Sequence, residues 1–212
     1  MKKVTALRSR NGRGKQVRVY LDGEFAFSLE AEVAAKGGLA VGQELAVGRL
    51  EELARANEFQ RCLNAAVHYL SYRPRSEFEL RERLQRRGFA ADDIEDVMAR
   101  LKERGVVDDG EFARFWRDNR QAFRPRSRAL TRLELRRKGV GDEVIGQVLG
   151  AVDDADSAER AARVKARRLP LTDYKIFRRR LGEYLRRRGF GYTVISNTVE
   201  QLWREMGETG SE

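Results

Sequence analysis

Few side chains in this chain of 212 residues could make or break a bond. Cys62 is the one cysteine and His68 the one histidine. No zinc site, Cys–His pair or Ser–His–Asp set is expected from them, and no internal disulfide can form. Asp108-Asp109 and Asp153-Asp154 are paired carboxylates of the kind that hold magnesium, as in a nuclease. Each pair stands just before a helix, where capping of free N–H groups and complementarity to the macrodipole account for it better. Gly12-Arg13-Gly14-Lys15 lacks the spacing of a phosphate-binding loop and falls in a hairpin, not between strand and helix. No active site, metal or cofactor is expected, and the chemistry left to the chain is that of its charge.

Lysine and arginine total 43 against 33 acidic residues, a net charge of +10, and only 8 of the 43 are lysine. A GC-rich genome would account for arginine over lysine, but not for the sign. So basic a balance favours a polyanion, or a protein filament wrapped around one. The charge is also uneven. Arg124 to Lys138 carries seven positive and one negative side chain, and Arg163 to Arg188 eleven against two, whereas Arg73 to Arg87 holds six against three. Each phosphate neutralised by such side chains releases counterions, which gives affinity without sequence preference.

Two kinds of element must position these charges. From Lys3 to Leu29 the pattern has period two: Val17, Val19 and Leu21 alternate with polar residues, as do Phe25, Phe27 and Leu29. Asp22-Gly23 between them is a type I′ hairpin signal, and a second turn is expected at Asn11 to Gly14. This predicts a three-stranded antiparallel meander, then a short helix and a Gly-rich connection from Gly37 to Gly48. A sheet so small must pack against the first long helix.

From Leu50 onward the period is helical and the chain repeats itself. Leu84 to Leu101, Leu135 to Val152 and Leu185 to Leu202 align, 51 and then 50 residues apart. Each opens with Leu and reaches Gly88, Gly139 or Gly189 four positions on, followed by Phe89, Val140 or Phe190. Ile94, Ile145 and Ile195 then share one position, and Arg-Pro-Arg-Ser recurs at Arg73 and Arg124. The glycines fit the left-handed C′ position of a helix, closed by the apolar residue that follows. Asp92-x-x-Glu95 and Asp108-x-x-Glu111 read as capping boxes, and Pro74 and Pro125 suit a helix's first turn. Trp116, Tyr192 and Trp203 fall in helical register that favours core packing over stacking on bases.

The fold expected is mainly α: three tandem three-helix repeats in an elongated curved array behind a small N-terminal β module. The divisions are 1–48 for the β module, 49–106, 107–152 and 153–206 for the repeats, and 207–212 for a flexible tail. No run nears the ~20 apolar residues of a membrane span, and Met1 to Lys15 lacks the apolar core of a secretory signal, so a cytoplasmic protein is expected.

Leu70-Ser71-Tyr72-Arg73-Pro74-Arg75-Ser76, with Glu79-Leu80, Leu84, Gly105-Val106-Val107-Asp108-Asp109 and Phe112-Ala113, resembles the first repeat of the RecX family. Glu134 to Val140 and Leu185 to Phe190 extend the likeness, and Val19 to Phe27 is similar to the leader of longer members. Where members often carry a Gly early in the second copy's central helix, this chain has Arg124-Pro125-Arg126-Ser127. The resemblance implies a regulator, not an enzyme, that lies in the groove of the RecA–DNA filament; a monomer is expected, with single- or double-stranded DNA as a further candidate partner. There it would block strand exchange, ATP hydrolysis and the co-protease activity behind the SOS response. The family offers no catalytic residues, so the binding candidates are basic residues of the second and third copies: Arg126, Arg128, Arg132, Arg136, Arg178, Arg179, Arg186 and Arg187. The competing reading is a general DNA-binding architectural protein of helix-turn-helix-like units that needs no recombinase.

Overall fold

The computed structural model of the chain describes residues 1–9 and 15–208, with side chains through Met206. The turn expected at Asn11 to Gly14 and the end of the expected tail lie outside these residues. The chain divides into two compact units, Met1–Arg73 with Leu80–Val107, and Pro74–Glu79 with Asp108–Glu212.

In the first unit β1 (Lys2–Ser9), β2 (Gln16–Leu21) and β3 (Glu24–Glu30) form the expected antiparallel meander. Asp22 and Gly23 both take positive φ, 51° and 93°, as a type I′ turn requires. After α1 (Ala31–Lys36) comes a strand that periodicity did not reveal. β4 (Glu44–Leu45) pairs with β1, so the sheet has four strands in the order β3-β2-β1-β4. Two residues are too few to show alternation. Val4, Val19, Leu29 and Leu45 turn inward onto Val33 of α1 and Leu53 of α2 (Val47–Leu70). Asn57 of α2 accepts the Glu30 backbone N–H at 2.7 Å, tying sheet to helix.

Further along, α2 places Cys62, Ala65 and Ala66 against Leu80 and Leu84 of α3 (Glu77–Arg86) and Ile94, Val97, Met98 and Leu101 of α4 (Ala91–Glu103). The second unit builds two more triplets of the same kind. Phe112, Leu135, Ile145 and Leu149 join α5 (Asp109–Phe123), α6 (Arg128–Arg137) and α7 (Asp142–Leu149). Ala162, Phe177, Leu181, Leu185 and Leu202 join α8 (Asp154–Ala166), α9 (Tyr174–Arg186) and α10 (Tyr192–Glu208).

Each triplet's second helix ends in the same cap. Gly88, Gly139 and Gly189 have φ of 87°, 77° and 85°. The next N–H bonds back to Leu84, Leu135 or Leu185, and the glycine N–H to the residue after that leucine, which is the Schellman pattern. Within the second unit two of these caps are also sockets. The Ser76 hydroxyl donates to the Lys138 carbonyl at 2.6 Å, and the Ser127 N–H to the Arg188 carbonyl at 3.0 Å. The same serines cap α3 and α6, accepting from the Glu79 and Leu130 N–H groups. Asp109 and Asp154 accept the N–H groups of Glu77 and Arg128, while Asp108 and Asp153 cap their own helices. The Asp pairs are thus double caps. Two expectations change: α4 starts after Ala90 with no side-chain cap, so Asp92-x-x-Glu95 is no capping box, and Pro74 and Pro125 stand two residues ahead of their N-caps instead of inside the first turn.

A Cβ on Gly139 would land on Phe78 and one on Gly189 would come within 2.6 Å of Ser127 Oγ, whereas one on Gly88 would meet nothing within 4 Å. Gly88→Ala should therefore cost only the left-handed backbone term, about 1–2 kcal/mol. Gly139→Ala adds a steric clash and should cost roughly 2–4 kcal/mol. Urea unfolding of the two variants side by side checks the difference.

Candidate polyanion-binding groove

The eight arginines proposed from sequence do not share one state. Arg126 is turned inward on an ion pair with Glu134, whose carboxylate also accepts from Arg120 Nε and Trp116 Nε1, both at 2.8 Å. The Arg120 guanidinium lies over the Trp116 ring at 4.5 Å and Lys138 Nζ at 4.3 Å, and Lys138 pairs with Glu79. Burial, then Arg120, Arg188 and Arg124, lower the pKa of Arg126, so its charge belongs to the interior of the triplet. Arg136 grips Asp142 in a fork, at 2.7 and 3.0 Å, and its hydrogen bond holds the Asp142 carboxyl below the usual range. Arg128 is exposed and Arg132 half-buried. Of the four candidates in the second triplet, Arg126 and Arg136 are thus spent on the fold and Arg128 and Arg132 are not.

The third triplet differs. On α9, Phe177, Leu181 and Leu185 form the buried stripe, and Lys175, Arg178, Arg179 and Arg186 lie off it, all exposed. With Tyr192, Ile195 and Ser196 of α10 they wall a groove of about 450 Å³ whose one acidic lining residue is Glu183. None of the four cations makes an ion pair among the described residues. Arg187 is exposed beside the groove but not on its wall. A larger cleft of about 790 Å³ between the sheet and α2 mixes Arg55 and Arg61 with Glu58 and Asp93, so its charges largely cancel.

Aligned positions explain why this groove is both open and cationic. In the first triplet Arg81 pairs with Glu95; the matching residues of the third are Gly182 and Ser196. In the second Arg136 pairs with Asp142; the matching residues of the third are Arg186 and Tyr192. Both acids have gone and the arginine remains. Sequence reasoning passed over Lys175, and it read Tyr192 as core, whereas that ring is 77% exposed. The signal was the change from Asp142 to Tyr192 at one repeat position, which deletes a partner instead of adding a charge. Trp116 and Trp203 do pack on the cores as expected. Cys62 is buried; burial first, then Asp93 and Glu58, push its thiol up to about 11, so it is no nucleophile at neutral pH.

Residues 62–101 and 108–149 match the first and second three-helix domains of RecX. The regulatory protein RecX of Amycolatopsis mediterranei is 34% identical over 160 residues, covering 74% of this chain and 91% of that protein. The chain belongs to the RecX family. The regulatory protein RecX of Clostridium botulinum is 29% identical over 208 residues, 95% of this chain and 96% of the relative. In fold, the crystal structure of a regulatory protein RecX superposes with a TM-score of 0.68 at 22% identity, over 92% of this chain and 98% of that one. RecX from Lactobacillus salivarius gives 0.59 over 69% of this chain. The mainly helical fold with its small sheet is therefore that of the family, and this RecX-family chain is a regulatory protein and not an enzyme. No helix among the described residues is long and apolar enough to cross a membrane.

The two classes of arginine should separate experimentally. Glu134→Ala strands two half-buried guanidiniums and an indole N–H, and should cost about 2 kcal/mol or more in urea unfolding. Arg178→Ala with Arg179→Ala and Arg186→Ala should stay within about 0.5 kcal/mol. The Cys62 thiol has its raised value only when folded, so it stabilises the fold up to the unfolded pKa near 9.0 and loses that contribution as pH climbs toward 11. Native protein at pH near 8 should accordingly resist iodoacetamide that labels the urea-unfolded chain at once.

Proposed function

We propose that this chain regulates the RecA recombinase by binding the RecA–DNA filament in its groove. Bound there it would inhibit strand exchange, ATP turnover and co-protease activity, and so restrain the SOS response and recombinational repair in the cytoplasm. The reading treats 49–106, 107–152 and 153–206 as successive recognition repeats of a monomer behind the β module of 1–48. It places the binding charge on Arg178, Arg179, Arg186 and Arg187, with Lys175 added, and with Arg128 and Arg132 in support. Arg126 and Arg136 would contribute only by giving up Glu134 and Asp142.

The observation that carries this reading is the run of four unpaired cations on one helix face in a chain of the RecX family. Folding does not require them there. Unpaired cations crowded on one face repel one another, and a polyanionic partner relieves that repulsion. Substoichiometric protein should suppress ATP turnover by RecA on single-stranded DNA, and Arg178→Ala with Arg186→Ala should blunt that suppression at unchanged helical content. The basic balance also suits an architectural DNA-binding protein. In competition, a filament regulator prefers RecA–DNA to bare duplex, and an architectural protein does not.

A further inference from the structure

The outward face of the N-terminal sheet is built in a way that folding alone does not favour. Across β1, β2 and β3 the register sets Arg8 opposite Arg18 and Arg18 opposite Ser28, and in the adjoining row Ala6 opposite Tyr20 and Tyr20 opposite Phe25. The inward rows hold the core residues Val4, Val19, Leu21 and Leu29, so these outer rows face solvent. Like charges directly across a strand pair are destabilising, and neither Arg8 nor Arg18 has an acidic partner among the described residues. Phe25 is 56% exposed. Its ring meets Tyr20 edge to face with centroids 5.9 Å apart, the Arg8 guanidinium lies 5.0 Å from the Tyr20 centroid, and that of Arg18 lies 5.9 Å from the Phe25 centroid.

We infer that this sheet face is a second nucleic-acid site, on which Tyr20 and Phe25 stack unpaired bases of single-stranded DNA while Arg8 and Arg18 hold the flanking phosphates. Aromatic rings on the outer face of a sheet offer a platform to any base freed from a duplex, because every base has a π face. Each guanidinium covers its ring in the free protein and swings to a flanking phosphate oxygen as a base takes its place over the ring. Paired bases are stacked on their neighbours and cannot reach the rings, so the site discriminates against duplex. An apolar protein partner fits poorly, since docking would strip water from two unpaired arginines. The choice of DNA over RNA rests on the proposed filament reading; the preference for a single strand does not.

The test uses the full chain carrying Arg178→Ala, Arg179→Ala and Arg186→Ala, so that the groove of the third triplet is silent, and a fluorescein-labelled oligothymidylate with no recombinase present. Anisotropy should show salt-sensitive binding that exceeds binding to a duplex of equal length. Phe25→Ala and Tyr20→Ala should each weaken it by roughly five- to a hundredfold. Arg8→Ala with Arg18→Ala should lower the salt slope by about one to two. An iodouracil-substituted strand should photocrosslink to Tyr20 and Phe25. Phe25 is exposed, so circular dichroism of Phe25→Ala should match the parent; if Tyr20→Ala unfolds, Phe25→Ala and the crosslinks decide alone. Unchanged affinity in Phe25→Ala, equal binding of duplex, or crosslinks that miss both rings would overturn the inference. Tighter binding of oligouridylate would overturn the assignment to DNA. Because no recombinase is present, a failure here leaves suppression of RecA untouched, and the converse holds too.

Discussion

Everything in the helical part of this chain depends on how one helix stops. A residue held near φ of +80° at the end of α3, α6 or α9 turns the chain so that the next N–H reaches back to the leading leucine carbonyl, and only glycine enters that region freely. The absent side chain then does a second job. With no Cβ at Gly139 or Gly189, a serine-capped helix start can sit against the cap and share its carbonyls. Arg-Pro-Arg-Ser and Leu-x-x-x-Gly are therefore two halves of one joint, which is why they recur in the same register. The Asp pairs complete it by capping one helix of their own triplet and one of the triplet before.

That joint constrains where charge can be free. Its neighbourhood is polar and half-buried, and two cations drawn into it are neutralised in place, Arg126 by Glu134 and Lys138 by Glu79, while Arg188 lies over the Tyr184 ring and donates to the Pro125 carbonyl. Removing the acid from either pair would leave a half-buried charge at a cost of several kcal/mol. The face of the second helix away from the joint has no such demand. There the first and second triplets still carry an internal pair, Arg81 with Glu95 and Arg136 with Asp142, but the third has lost both acids and one of the two arginines, keeping Arg186 without a partner. Repetition supplies three equivalent frames, and small changes at matched positions leave one of them with an open cationic groove.

How much of this could be read from sequence follows from the range of each interaction. Period-two alternation, the Asp22-Gly23 turn, the leucine stripes and the glycine caps are local, and they appear where the pattern put them except at Phe25, which the register shift beside Tyr20 turns to the outer face. β4 did not show, because Glu44 and Leu45 become a strand only through Lys2 and Lys3, some forty residues away. Arg126 and Arg136 were legible as charges but not as occupied ones, since Glu134 and Asp142 are six to eight residues distant and their pairing depends on which helix face each occupies. Tyr192 was misread for the same reason. It begins α10 and faces solvent, while Val199 and Leu202 of that helix go to the core.

Repeat position is the level at which free and spent charges become distinguishable. Residue by residue, Arg136 and Arg186 are the same: each stands one place after the leading leucine on an exposed helix face. They differ because six residues on, across the glycine turn, one finds a carboxylate and the other a phenol ring. A carboxylate in that place turns the arginine into a local clamp on the turn; a phenol leaves its field to reach a partner beyond the chain. Net charge already cancels Arg136 against Asp142, so the +10 of the whole chain measures the unmatched cations together and says nothing of where they lie. Availability is set by the acid that is missing, and in this chain it is missing most completely from the third triplet.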